Sequence, residues 1–153
     1  MRETLLSIHL LAVIAWLGAG FYELWLGRLF LRSNGSAAEA TLIRAIYRSD
    51  LVVFAATLIA FAAGVAMALT LGWGFFQELW LGVKQAIMIA VLVIVAAIFP
   101  AALKLGRQIS ALPAGDGAVP AELKATYARL EPWYWTMRVL GVAAVLLAIW
   151  RPV

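Results

Sequence analysis

Long runs of apolar residues, separated by short polar segments, extend along almost the whole chain. Each of the four longest runs can cross a bilayer as an α-helix, because a hydrocarbon core of roughly 30 Å requires about 20 helical residues. The predicted spans cover residues 5–31, 50–71, 77–104 and 134–150. The pattern therefore predicts an all-α fold, an integral membrane four-helix bundle that forms a single domain over residues 1–153.

The polar segments between the spans predict the connections. Residues 33–36 and 72–74 are turn clusters, and residues 112–120 form a loop rich in Pro, Gly and Ala. The segments before the second and fourth spans are amphipathic, and we expect the second helix to begin in the headgroup layer about three turns before its span. Within the third span, Pro100 is expected to kink the last turns.

Composition narrows the class of protein. Of the 153 residues, 65% are hydrophobic and 13% are charged, whereas a soluble domain has roughly 45–50% and 25%. A water-soluble fold of this size could not bury so much apolar surface. The chain has no cysteine, which excludes disulfides, thiolate metal sites and iron–sulfur clusters. Walker, zincin and nucleophile-elbow motifs are also absent from the sequence.

Positive charge is distributed unevenly between the two ends of the predicted bundle. Nine of the 12 Lys and Arg residues lie in or beside the connections after the first and third spans: Arg28, Arg32, Arg44, Arg48, Lys104, Arg107, Lys124, Arg129 and Arg138. The positive-inside rule predicts that both termini are external and that the two longer loops are cytoplasmic. The expected location is a bacterial-type cytoplasmic (inner) membrane, which the chain crosses several times. Because the basic residues stand at the ends of apolar segments, they match lipid headgroups rather than nucleic acid.

One face of the first helix carries polar and small residues. At 100° per residue, five of them lie within about 40° of one direction: His9, Trp16, Gly20, Glu23 and Gly27. Lipid solvates neither an imidazole nor a carboxylate well, so we expect this face to point into the bundle. Close helix contact is the simplest role for Gly18, Gly20 and Gly27.

Glu23 lies deep in the first span, where an unpaired carboxylate is costly. The predicted partner is an arginine, either Arg48 or Arg138, each of which stands near a span boundary on the same side. A carboxylate that relays protons is the alternative interpretation of Glu23.

His9 is the only histidine, and Lys84 lies about as far inside the third span as His9 lies inside the first. In a membrane helix, His9 could be an axial haem ligand, a copper ligand, a proton carrier or a hydrogen-bonded structural residue. Lys84 could snorkel to the interface or take part in function. We expect the two side chains to face a common cavity. A second axial ligand would come from Met67, Met88, Met137, Lys84, water or another subunit.

Three motifs resemble those of HemJ-type protoporphyrinogen oxidases. In the first helix, His9 is followed by Trp16 seven residues later and then by R-L-F from Arg28. The third helix opens with W-L-G-V-K, ending at Lys84, and the last helix contains M-R-V-L from Met137 before a terminal Arg-Pro. The long polar segment before the last helix is similar to that of a group of uncharacterised bacterial membrane proteins, and CopD copper-resistance membrane domains are more distantly similar.

The resemblance implies a small oxidoreductase that binds haem b or a porphyrin. It makes His9 the metal ligand and Lys84 both a catalytic and a cofactor-binding residue; Trp16, Gly20 and Met88 complete the candidate cofactor site. Two alternatives stay open. The chain could be a non-catalytic accessory subunit of a larger membrane complex or a homo-oligomer, or it could handle copper through His9 and methionines, since imidazole and thioether suit copper.

Overall fold

The computed structural model describes residues 2–72 and 75–150, and this part of the chain contains helices but no strand. The helices are α1 (Arg2–Arg32), α2 (Glu39–Thr70), α3 (Leu79–Ser110) and α4 (Ala121–Trp150). All four are long and apolar enough to cross a membrane. The all-α membrane bundle predicted from the apolar runs is thus confirmed.

Short connections make successive helices antiparallel, and the four helices form a closed ring. α1 packs most extensively against α2, and α3 packs against α4; α1 also contacts α4, while the α2–α3 seam is the least tightly packed. We call the end with residues 2–5, 70–72 and 75–80 the terminal end. The opposite end, with residues 32–39 and 110–121, is the loop end.

The outer surface of the bundle is apolar along its length. Large side chains that point away from the core include Leu11, Leu69, Val93 and Ile149, all more than half exposed. In a bilayer these side chains meet acyl chains rather than water, so their exposure does not destabilise the fold. The buried interior is correspondingly narrow and depends on small residues at the helix contacts.

Two helices begin well before their predicted spans because amphipathic turns continue them beyond the apolar core. α2 begins at Glu39 rather than residue 50, as the polar pattern before its span indicated, and α4 begins at Ala121 rather than residue 134. Apolar side chains at helical spacing are buried in these added turns. They are Ile43, Ile46, Leu123, Tyr127 and Leu130.

The third helix differs from its predicted membrane span of residues 77–104 at both ends. α3 begins at Leu79 rather than residue 77, because Phe76 has a positive φ of 56° and Glu78 is extended. The helix then continues through Pro100 to Ser110, beyond the predicted end at residue 104. Two residues of the predicted G-W-G turn, Trp73 and Gly74, lie outside the described residues.

Glu39 joins the two connections at the loop end. Its carboxylate accepts hydrogen bonds from Ser33 Oγ (3.0 Å), the Gly35 N–H (2.7 Å), the Val119 N–H (3.0 Å) and Lys124 Nζ (2.8 Å). These donors hold the pKa of Glu39, which lies outside the apolar span, well below its ordinary value. The carboxylate therefore fixes the loop end by connecting the α1–α2 turn to the α3–α4 loop and the first turn of α4.

Candidate functional site

His9 is held against α2 by a hydrogen bond of defined direction. Its Nδ1 lies 2.8 Å from the carbonyl oxygen of Ala60. Because a carbonyl oxygen only accepts, Nδ1 must carry the proton. In the neutral imidazole, Nε2 then carries the lone pair. A backbone carbonyl that fixes the tautomer and the ring orientation in this way is the usual support of a metal-ligating histidine.

Lys84 and Met88 on α3 line the same cavity as His9 at the terminal end. The cavity lies where α2 and α3 meet α1, and its volume is about 170 Å³. Met67 of α2 also lines it. The structure therefore brings together three of the candidate site residues, His9, Lys84 and Met88, and it places Met67, one of the predicted possible second ligands, at the same cavity.

The structure does not bring the other two candidates, Trp16 and Gly20, to this cavity. The Trp16 ring packs against Gly141 of α4, where an added Cβ would lie 2.8 Å from its Cη2 atom. At Gly20, an added Cβ would lie 1.9 Å from Nε of Arg138. Gly20 thus leaves space for a protein side chain, and Trp16 lines a different cavity.

The polar face of α1 points into the bundle, as its spacing predicted, and Glu23 meets the arginine of α4. Glu23 Oε2 lies 3.3 Å from Arg138 Nη2, and the two side chains are 0% and 1% exposed. The prediction of a buried ion pair is confirmed, with Arg138 as the partner; Arg48 is exposed. Arg138 Nε and Nη1 and Glu23 Oε1 have no hydrogen-bond partner among the described residues.

A second, larger cavity lies between α2 and α3 toward the loop end. Its volume is about 640 Å³, and its walls include Trp16, Asp50, Tyr134 and Arg138. Asp50 is not predicted as a site residue from the sequence, because it stands at the first position of an apolar span, where carboxylates commonly face the headgroups. The depth of Asp50 in the bundle could have indicated a role, because Asp50 and Arg138 both lie near the starts of their predicted spans, at the same end of the bundle.

The arrangement offers two chemically distinct sites along one seam. At the terminal end, an oriented imidazole, two thioethers and a lysine surround a small cavity. At the loop end, the buried side chain of Arg138 and the carboxyl group of Asp50 line a large, mainly apolar cavity. Comparisons with protein-family models, curated proteins and solved structures find no match for the chain.

Proposed function

We propose that this membrane protein binds haem b or a related metalloporphyrin and that His9 Nε2 would ligate its iron. The observation that carries the proposal is the 2.8 Å hydrogen bond between His9 Nδ1 and the Ala60 carbonyl. It leaves Nε2 as the atom available to a metal at the cavity. Bound haem would supply one-electron redox chemistry, which suits a small oxidoreductase of the HemJ type.

Two methionine sulfur atoms beside His9 would suit the iron as further ligands. Met88 and Met67 line the His9 cavity from α3 and α2, and a His/Met pair is one of the ligand sets that hold haem iron. Either thioether would serve as a further iron ligand in place of a second histidine, which the chain lacks. Each methionine is therefore a testable ligand.

The size of the cavity restricts where the macrocycle can lie. A volume of about 170 Å³ is below the range of roughly 300–1,000 Å³ for sites that enclose a drug-sized ligand. A tetrapyrrole fits only if it extends along the lightly packed α2–α3 seam. Phe76 and Ile89 line the cavity and are 58% and 49% exposed, so the seam is open to the surrounding lipid there.

Lys84 provides a cation beside the proposed ligand. Within the described part of the chain, no carboxylate lies within ion-pair distance of it. A propionate of the tetrapyrrole would supply the missing negative charge through a charge-assisted hydrogen bond. The same side chain can deliver a proton as the ammonium, or accept one as the neutral amine, at the edge of the cavity, which is the catalytic role proposed for Lys84.

Haem titration of the purified protein tests the proposal. We expect a Soret band that saturates at one haem per chain. His9→Gln should abolish it, because the glutamine amide can still donate to the Ala60 carbonyl but is a poor iron ligand. Lys84→Met should weaken binding and keep the band position. Ser7→Ala, at an exposed position two residues from His9, is the control. An unchanged band in His9→Gln would contradict the assignment.

Copper is the second candidate, and the lining of the cavity favours it specifically. One imidazole and two thioethers, from His9, Met67 and Met88, surround a space of about 170 Å³, and soft sulfur ligands select Cu(I). The positive charge of Lys84 opposes a bare cation, which is why we place haem first. Saturable Cu(I) binding that is lost in Met67→Leu and Met88→Leu, without any Soret band, would establish copper instead. If the purified protein binds neither haem nor Cu(I), the accessory-subunit alternative is favoured.

A further inference from the structure

The larger cavity toward the loop end, which we call the loop-end cavity, opens onto the outer surface of the bundle along the α2–α3 seam. Its volume is about 640 Å³. Four large apolar side chains of its wall are 41–53% exposed: Leu51, Phe54, Phe99 and Leu103. Because the outer surface of the bundle meets acyl chains in a bilayer, a lipid tail can enter this cavity from the side.

The wall that α3 contributes follows a stripe along the helix. Val95, Phe99, Leu103 and Arg107 all line the cavity, and their spacing of four residues makes each the neighbour of the next on the helix surface. Over the 12 residues from Val95 to Arg107 the helix rises about 18 Å. One leaflet contributes about half of a hydrocarbon core of roughly 30 Å. The stripe therefore matches the depth of one lipid tail, and it is apolar along its length and basic at its loop end.

The loop end of the cavity has the donors that a phosphate group requires. Arg107 is exposed and lies within one turn of the end of α3, at the depth expected for lipid headgroups. It makes no ion pair with any residue that the structure describes. Tyr47 of α2 also lines the cavity, and its ring packs against Gly106, where an added Cβ would lie 3.2 Å from the phenolic oxygen. The Tyr47 hydroxyl thus lies beside the residue that precedes Arg107, and both side chains donate hydrogen bonds to phosphate oxygens.

Charge favours an anionic headgroup at this end and opposes one at the deep wall. Asp50 lies one turn beyond Tyr47 along α2 and is therefore about 4.5 Å deeper. Its electrostatic partner is Arg138, which is 1% exposed and does not contact the ligand. The carboxylate of Asp50 repels a second anion, so a phosphate stays beside Arg107. A zwitterionic headgroup brings its own ammonium group to that phosphate, whereas the charge of an anionic headgroup is left to Arg107.

We propose that the loop-end cavity binds one anionic glycerophospholipid from the surrounding leaflet. The phosphate accepts hydrogen bonds from the Arg107 guanidinium and the Tyr47 hydroxyl, and one acyl chain lies along the α3 stripe between α2 and α3. The second acyl chain stays in the bilayer. The lipid fills the seam where the helices pack least tightly and so connects α2 to α3. The site is separate from the His9 cavity and requires no metal there.

Native mass spectrometry of the full chain in detergent micelles, titrated with dioleoyl phosphatidylglycerol, tests the site. One phosphatidylglycerol per chain should bind saturably, and phosphatidylcholine with the same tails should bind about tenfold more weakly. Arg107→Gln should weaken phosphatidylglycerol binding about tenfold and remove the preference, because it removes a charge-assisted hydrogen bond. Arg129→Gln removes an exposed positive charge of α4 toward the same end and should change neither affinity. Equal losses in the two arginine variants would overturn the site.

A matched pair of substitutions on α3 tests where the tail lies. Ala102 lines the cavity, whereas its neighbour Ala101 is exposed and is not part of the wall. Ala102→Phe should block the tail and abolish saturable binding, and Ala101→Phe should preserve it. Circular dichroism checks that each variant keeps the helical fold.

Glycerol phosphate, which has the headgroup phosphate but no tail, distinguishes a lipid from a free phosphate compound. It should not displace bound phosphatidylglycerol at equal concentration. Displacement by it, equal affinity of the unsubstituted protein for phosphatidylcholine, or equal effects of Ala101→Phe and Ala102→Phe would each overturn the proposal. The readout is bound lipid in the absence of haem, so failure here is distinguishable from failure of haem binding.

Discussion

At the scale of single residues, glycines of α1 make room for particular large side chains of α4. Arg138 lies over Gly20, and an added Cβ at Gly27 would be 2.0 Å from the phenolic oxygen of Tyr127. Gly18, by contrast, is exposed and has nothing within 4 Å. Close contact was therefore the correct expectation for Gly20 and Gly27 and wrong for Gly18. The sequence indicates that a glycine lies on a packed face, but the partner depends on which helix is adjacent and how it is rotated.

Replacing Gly27 should destabilise the bundle. The Tyr127 ring is fully buried and rigid, so a methyl group at Gly27 must push α1 and α4 apart, at a cost of about 1–3 kcal/mol. Gly18→Ala has no such conflict and gains up to ~1 kcal/mol of helix propensity. The free energy of unfolding in mixed micelles measures both variants. Equal stability of Gly27→Ala and Gly18→Ala would show that the helix contact is looser than described.

At the scale of elements, the helices were predictable from apolar runs, but their ends were set by contacts outside the apolar core. α4 extends back to Ala121 because Leu123 and Tyr127 are buried at helical spacing. The predicted span began only at residue 134, because residues 121–133 are too polar to be counted as part of an apolar run. The loop end also depends on Glu39, whose four donors come from three separate segments. No sequence pattern connects those segments in advance.

Stability should fall in acid through Glu39. The folded-state pKa of Glu39 is lowered from 4.5 to about 2 by its hydrogen bonds, so its contribution is fully present above pH 4.5 and lost as the pH falls toward 2. Chemical unfolding followed at several pH values should show this decline. The Glu39→Gln variant should have a lower free energy of unfolding at neutral pH, and that free energy should change less between pH 4.5 and 2. Glu122→Gln, which removes an exposed ion pair with Lys104, should change stability by less than ~1 kcal/mol. An identical pH profile in Glu39→Gln and the unsubstituted protein would contradict the role of Glu39.

At the scale of the whole molecule, the α2–α3 seam holds both cavities, one toward each end of the bundle. The matched depth of His9 and Lys84 could be read from the apolar spans, and the structure does place them at one cavity. The loop-end cavity could not be read in this way. Apolar residues that face a seam, a neighbouring helix or lipid have the same composition, and only the packing of α2 against α3 distinguishes these surroundings.

The orientation of the bundle is testable because the chain has no cysteine of its own. Single cysteines at Asn34 and Asp116, both exposed at the loop end, should be shielded from an impermeant thiol reagent added to intact cells if this end is cytoplasmic, as the positive-inside rule predicts. A cysteine at Glu3, exposed at the terminal end, should react. The opposite labelling pattern would reverse the proposed topology.

Labelling histidine with ¹⁵N shows whether His9 Nε2 ligates a metal, as proposed. Because the chain has one histidine, the label marks His9 alone. We expect pulsed electron paramagnetic resonance of the ferric haem complex to show a ¹⁵N hyperfine coupling from a directly bound imidazole nitrogen. Haem that stays bound to the protein without any ¹⁵N coupling would show that His9 is not its ligand.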